Sequence, residues 1–305
     1  MSVHQMDHPS ARWFRSQRDV ITVTGADCVT FLQGQISADV AGLGVADSAM
    51  TLVLSPAGKI DAWGRVTRTA ADAVMIDVDA GLGDAVMTRL SRFKIRVDVE
   101  MTWEPMSWLA VRGQQFVTPR PAGVIIWCDT FWPGVVGTDV VGAPEVIDEL
   151  IADQLDPVSE MTDEAFTAAR VVAGVPVVGL DVDNDTIPAE AGAWLIDASV
   201  SFTKGCYVGQ ELVARIDSRG NNTPRRLRAL VATERFMRVG DTLSAGAESS
   251  KSAGTLSSVA WSDELGVEVA LALVPRGVED GARVMTDRDG QLSELNAEVR
   301  SLPLR

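Results

Sequence analysis

Apolar positions along the chain change period repeatedly, and each change marks an element. "DVITVT", residues 19–24, alternates like a half-buried strand and is broken at Gly25. Asp27 then stands where an N-cap belongs, with Val29, Leu32 and Ile36 on one face of a following helix. "MTLVLSPAGKIDAWGRVTRT" predicts two strands joined at residues 55–58, where Pro-Ala-Gly supplies turn chemistry. "AVMIDVDAGLGDAVMTRLSRFKIRVDVEMT" reads as a strand, a helix over about residues 81–93 and a further strand. With "SWLAVRG", "GVIIWCDT" and the helical "APEVIDELIADQL", residues 47–155 carry the alternation of a compact α+β unit.

In "TDEAFTAARVVAGVPVVG", Phe166, Ala169, Arg170 and Ala173 recur at helical spacing until Gly174 stops the helix. From about Thr223 the pattern becomes short β-like runs separated by glycines, which suggests a small barrel or sandwich. There is no repeat of 20–50 residues, no low-complexity tract and no heptad array.

Composition narrows the class. The chain has 305 residues, 46% hydrophobic and 23% charged, which suits a soluble globular protein of two or three domains. No apolar run reaches the ~18 residues of a membrane span. Cys28, Cys128 and Cys206 are odd in number and form no CxxC, as expected in a reducing compartment. The first residues lack an apolar signal core, so a cytoplasmic location is expected.

A net charge of −15 makes sequence-independent nucleic-acid binding a poor default. Local exceptions are Arg89, Arg92, Lys94 and Arg96, and Arg225, Arg226 and Arg228, either as solvated faces and ion pairs or as anion-binding rims. The two histidines, His4 and His8, lie with Asp7 in a polar leader, a poor place to preorganise metal ligands. Proton transfer elsewhere would have to use carboxylates, lysine, tyrosine, a thiol or water.

The common catalytic signatures are missing: no GxxxxGK[ST], no GxGxxG between strand and helix, no GxSxG and no HExxH. What remains is "TKGCYVGQELVAR". Tyr207, Val208, Leu212, Val213 and Ile216 form a helical stripe, so a helix is expected to start near Cys206. There the helix dipole and Lys204 would favour the thiolate, while Gln210 and Glu211 add polar groups to the first turns. The alternative is that Cys206 packs as a small hydrophobe and Lys204 merely neutralises a carboxylate.

"KGCYVGQE", residues 204–211, resembles the signature of the YgfZ branch of the folate-binding T-protein superfamily, which includes the aminomethyltransferase of the glycine cleavage system. "TVTGADCVTFLQGQISADV", "LSPAGKIDAWGRV", "RFKIRVDVE" and "AGVPVVGLDVDNDTIPAEA" resemble other segments of that family in the same order, covering roughly residues 20–230. The resemblance implies an α+β, three-domain T-protein-like fold around a central opening, with a ferredoxin-like insert and a C-terminal β-barrel. It would divide the chain into residues 1–46 with 156–222, residues 47–155, and residues 223–305.

The resemblance also implies tetrahydrofolate or a one-carbon derivative as ligand, and iron-sulfur client or assembly proteins as partners. The link to tRNA modification would be indirect, which the acidic chain fits better than direct nucleic-acid binding; no membrane contact is expected, and since nothing in the sequence demands an oligomer, a monomer is expected. Cys206 would be the reactive group and Lys204 would tune it. Phe166 would stack on the pterin, Arg170 would meet an anionic group, and Glu190 would either accept from pterin nitrogens or stabilise a helix start. Tyr207 and Gln210 complete the expected folate-contacting set.

Departures separate branches of the superfamily. The aminomethyltransferase Asp-Asp pair is here Asp61 beside Ala62, its RTGxTGE segment is absent, and Arg18 stands where some relatives carry an aromatic. A folate-dependent one-carbon transferase using Asp61 or Glu190 is the second expectation, and a scaffold that has lost the ligand the third.

Overall fold

The computed structural model describes residues 11–115, 120–156, 158–244 and 252–304; the leader with His4, Asp7 and His8 lies outside them. In chain order the elements are β1 (Arg12–Thr24), α1 (Cys28–Gln33), β2 (Ser48–Leu54), β3 (Ile60–Ala70), β4 (Ala73–Asp79), α2 (Gly83–Ser91), β5 (Glu100–Arg112), β6 (Val124–Asp129) and β7 (Gly137–Gly142). Next come α3 (Pro144–Gln154), β8 (Ser159–Glu160), α4 (Asp163–Ala173), α5 (Pro188–Ala191), α6 (Ala193–Ser199) and α7 (Gln210–Asp217). The chain closes with β9 (Arg225–Ala232), β10 (Thr242–Ser244), β11 (Ser252–Ser262), β12 (Val267–Pro275), β13 (Arg283–Arg288) and β14 (Gln291–Arg300).

One large sheet runs β2-β3-β4-β1-β5-β7-β6, antiparallel throughout, with the short β8 added parallel to β1. Its organiser is β1, which pairs with β5 from Arg12↔Arg112 to Thr24↔Glu100 and with β4 from Arg18↔Asp79 to Thr24↔Ala73. Periodicity caught only the last six residues of this strand. The earlier ones, "RWFRSQR", carry charges on a strand whose backbone bonds come from β5, so their side chains do not alternate cleanly.

On one side the sheet packs Ile21, Val23, Val66, Ile76 and Val78 against Phe31 and Leu32 of α1 and Val86 and Leu90 of α2. A second core joins Leu52, Leu54, Ile60 and Trp63 to residues far along the chain, Val175, Leu195, Ile196, Tyr207 and Val213. The sheet therefore runs across residue 46, since β1 bonds directly to β4 and β5. Strands β9 to β14 form a closed six-stranded barrel, in the order β10-β11-β12-β9-β14-β13, with its own core of Leu230, Leu243, Leu256, Val274 and Val299.

Local signals explain the ends of the elements. Thr162 caps α4 by accepting from the Ala165 amide at 3.2 Å, and Gly174 ends it in the left-handed region at φ 76°. α1 stops at Gln33, before Ile36, because Ile36 leaves the helix to bridge Val53.

Candidate functional site

Strands β1, β3, β4, β5 and β7 deliver alternate side chains to one cleft, of about 610 Å³ including its open mouth. Its aromatic lining is Trp63, Trp108, Phe131, Trp132 and Phe166; Val175, Pro176 and Val177 close one side. Phe166, on α4, stacks on Phe14 with ring centroids 4.0 Å apart, and meets Trp132 at 5.2 Å and Trp108 at 5.7 Å. Trp63 is fixed by donating its Nε1–H to Ser199 Oγ at 2.9 Å.

Charge enters this apolar cleft as a buried chain of ion pairs. Asp77 accepts from Arg18 Nε at 2.5 Å and from Arg65 Nε and Nη2 at 2.9 and 3.1 Å. Arg65 also reaches Asp139 Oδ2 at 3.4 Å, and Asp139 Oδ1 accepts from Arg112 Nη2 at 2.8 Å and Trp108 Nε1 at 3.3 Å. Arg18 extends the chain to Asp79 Oδ1 at 2.8 Å, whose other oxygen accepts from the Val178 amide at 3.2 Å.

Burial opposes the charge on Asp139, but Arg112 and Arg65 outweigh it and hold its carboxyl below the usual carboxylate range. Burial likewise opposes the charge on Arg65, and the pull of Asp77, Cys128 and Asp139 more than compensates. Both side chains are therefore fully ionised at neutral pH.

A carboxylate oxygen can accept about two hydrogen bonds, so spare capacity can be located. Asp77 is crowded by two arginines. Asp79, whose side chain is 22% exposed, accepts one bond on each oxygen, and Asp139 Oδ2 has only the long contact from Arg65. The cleft thus offers flat π-faces with ionised acceptors beside them, suited to a planar heterocycle rich in N–H donors.

The residues expected from sequence divide. Phe166 and Arg170 line the cleft, but Arg170 is already engaged, donating to Asp181 Oδ2 at 2.7 Å, to Val175 O at 3.1 Å and to Ser258 Oγ of the barrel. Its role here is to tie α4 and the cleft wall to β11. Glu190 lies outside the cleft: it accepts from Arg225 Nε and Nη2 at 3.0 and 3.1 Å and from the Ile187 amide at 3.2 Å, joining α5 to the barrel. Asp61 is also outside it, on a separate groove beside α2.

Lys204, Cys206, Tyr207 and Gln210 do not line the cleft. The helix begins at Gln210, with Gly209 as its left-handed N-cap, so Cys206 is an exposed loop residue and not a helix-start thiol. The stripe misled because Tyr207 is buried by loop packing, not by a helix face. Gln210 Oε1 accepts from the Tyr207 amide at 3.1 Å, a local cap.

Lys204 Nζ donates to Ile36 O and Ala38 O, both at 2.7 Å, and lies 5.2 Å from the Tyr207 ring. Burial pushes its pKa down to about 8, with Asp39 opposing. The signature therefore staples its loop to the α1–β2 connection, aided by the Val208 amide donating to Gly34 O at 3.2 Å. Gly209 and Gly58 complete the staple: a Cβ on Gly209 would lie 3.2 Å from Gly58 Cα and 2.7 Å from Ser55 O.

Sequence periodicity and motifs did not point to Trp63, Trp108, Trp132, Arg65, Asp77 or Asp139. Nor did they point to Cys128, whose Sγ accepts from Arg65 Nη1 at 3.1 Å and whose pKa burial raises. Among the described residues no three His, Cys, Asp or Glu side chains converge to hold a metal ion, and no helix is long and apolar enough to cross a membrane.

No protein-family model matches the chain. Among curated proteins it is similar to an uncharacterized protein of Haemophilus influenzae, 26% identical over 245 residues, 80% of this chain and 82% of that one. It is 29% identical over 223 residues to the tRNA-modifying protein YgfZ of Klebsiella pneumoniae, covering 66% of this chain and 65% of that one. To the mitochondrial iron-sulfur cluster assembly factor IBA57 homolog of Mycosarcoma maydis it is 26% identical over 236 residues, 70% of this chain and 56% of that protein. The structure superposes on the glycine cleavage system aminomethyltransferase T of Bartonella henselae with a TM-score of 0.77 and 21% identity, over 97% of this chain and 86% of that one. The chain is thus similar in sequence to YgfZ and IBA57 proteins and shares the fold of the glycine cleavage aminomethyltransferase.

Proposed function

We propose that the aromatic cleft binds a reduced folate, tetrahydrofolate or a one-carbon derivative, and that the protein supports iron-sulfur cluster assembly or repair, and through it tRNA modification. The observation that carries the ligand is the pairing of π-faces with acceptors: Trp63, Trp108 and Phe166 wall a cleft in which Asp79 and Asp139 keep unused lone pairs. A tetrahydropterin presents a flat pyrimidine ring with an amino group and ring N–H donors, which such acceptors match. Arg18, Arg65 and Arg112 fix the carboxylates in place, so binding would need little rearrangement. The names of the YgfZ and IBA57 relatives support the iron-sulfur and tRNA roles.

When bound, the folate would supply one-carbon chemistry. The chain's own residues position it and exclude water: the aromatic walls cover the ring and the wall at residues 175–177 closes one side. The transferase reading needs a carboxylate in the cleft from Asp61 or Glu190. Glu190 is consumed by Arg225, and Asp61 faces another groove. Cys206, exposed on a stapled loop, is proposed as the thiol presented to a client or assembly protein, with Lys204 holding the loop that carries it.

Calorimetric titration with tetrahydrofolate tests the ligand. Saturable heat that is lost in Trp108→Ala supports the reading; no heat in the wild type refutes it and favours a scaffold.

A further inference from the structure

The groove beside α2 shares no lining residue with the aromatic cleft and is open to solvent, with about 1220 Å³ of space. Thr88, Arg89 and Arg92 line it from the end of α2, Asp61 from β3, and Val178, Gly179, Asp183 and Asn184 from the segment after α4.

Arg89 is only 5% exposed, yet its guanidinium is incompletely satisfied. Nε donates to Leu54 O at 3.0 Å, Nη1 donates to Gln35 Oε1 at 3.3 Å, and one face lies 4.5 Å over the Phe93 ring. Nη2 is buried and has no acceptor. Asp61 Oδ2 is 3.8 Å from Nε, an ion pair without a hydrogen bond. Buried donors of a cation are almost always paired in folded proteins, so this orphan, on a residue that lines the groove, leaves donor capacity unused.

Arg92 follows Arg89 by three positions, on the same side of the helix end. It is exposed, has no hydrogen-bond partner among the described residues, and its charge acts on both Arg89 and Asp61. The other carboxylates on the rim are engaged: Asp84 accepts from Trp103 Nε1 at 2.9 Å, and Asp183 accepts from Thr186 Oγ1 at 2.7 Å and the Asp185 amide at 3.0 Å. Asp61 is the carboxylate within ion-pair distance of Arg89, and burial raises its pKa against the pull of Arg89 and Arg92.

We propose that this groove is an oxyanion site, in which the guanidinium groups of Arg89 and Arg92 bind the carboxylate or phosphate of a small organic ligand. Leu82, Ala85 and Val178 offer apolar contact to its carbon skeleton. Asp61 competes with the incoming anion for the same guanidinium groups. The site is independent of the folate reading, since it uses none of the cleft residues.

Calorimetry with the full chain at low ionic strength, using inorganic phosphate and separately glutarate, tests this. At least one anion binds saturably, Arg92→Gln weakens it by about tenfold, and Asp61→Asn tightens it several-fold by removing the competing charge. The tighter of the two probes identifies phosphate or carboxylate as the group recognised. No saturable binding of either anion, unchanged affinity in Arg92→Gln, or weaker affinity in Asp61→Asn overturns the proposal. Unliganded melting temperatures of the variants close to wild type confirm that these losses are local.

Discussion

Replacing Gly209 by alanine strikes the point where the KGCYVGQE segment meets the SPAGK hairpin. Gly209 has φ 84°, where a Cβ-bearing residue is strained by about 1–2 kcal/mol. Its new Cβ would lie 2.7 Å from Ser55 O, 2.8 Å from Leu54 Cβ and 3.2 Å from Gly58 Cα, so two neighbours are backbone and cannot swing aside. Overpacking of this kind adds about 1–3 kcal/mol. Reduced freedom of the unfolded chain returns about 0.4–1 kcal/mol. The net expectation is a loss of about 1–4.5 kcal/mol, centred near 3 kcal/mol. Gly205, four residues earlier in the same signature, has no positive φ, and an added methyl there would meet nothing within 4 Å, so alanine should change stability by less than about 0.5 kcal/mol. Urea denaturation of both variants reads the difference. A Gly209→Ala cost below about 1 kcal/mol, or equal costs at the two sites, would refute the view that the signature is first a structural staple.

Three further outcomes follow from the same geometry. Asp77→Asn leaves the buried Arg65 and Arg18 without their shared counter-ion and should cost about 3–5 kcal/mol in urea unfolding; a loss under about 1 kcal/mol contradicts the buried network. With a neutral maleimide and the folded protein, Cys206 should label first, because Cys28 is buried and Cys128 is half-buried against Arg65; mass mapping that finds either of those labelled first would be inconsistent with the fold. Lys204 has a folded-state pKa near 8, below its unfolded value, so the folded protein binds fewer protons between about pH 8 and 10.5 and the wild type should gain stability over Lys204→Met as pH rises through that window. The neutral amine keeps two N–H donors, enough for Ile36 O and Ala38 O, so the staple survives deprotonation; a wild-type advantage that shrinks with pH would reverse the sign.

Sequence periodicity reached the elements whose chemistry is local. The turn at residues 55–58, the stop at Gly174 and the helix of Phe166 and Arg170 each rest on neighbours within a few residues. The cleft was less legible because its parts meet only through sheet register: Arg18 opposes Asp79 across β1 and β4, while Arg65 opposes Asp77 across β3 and β4. One signal was present. Trp63 and Arg65 on β3, and Asp77 and Asp79 on the otherwise apolar β4, stand two positions apart, the pattern of a strand turning one face to a buried polar site. The signature segment carried the opposite error, since its lysine and second glycine hold a loop against its neighbours, while the cleft's charges lie in the sheet.

The most direct measurement is the calorimetric titration of tetrahydrofolate into wild type, Trp108→Ala and Cys206→Ala. A folate site in the cleft predicts saturable binding in the wild type, its loss by at least about tenfold when the cleft loses Trp108, and no change when the exposed loop loses its thiol. Binding that survives Trp108→Ala but vanishes with Cys206→Ala would place the ligand on the signature loop and contradict the cleft as the folate site.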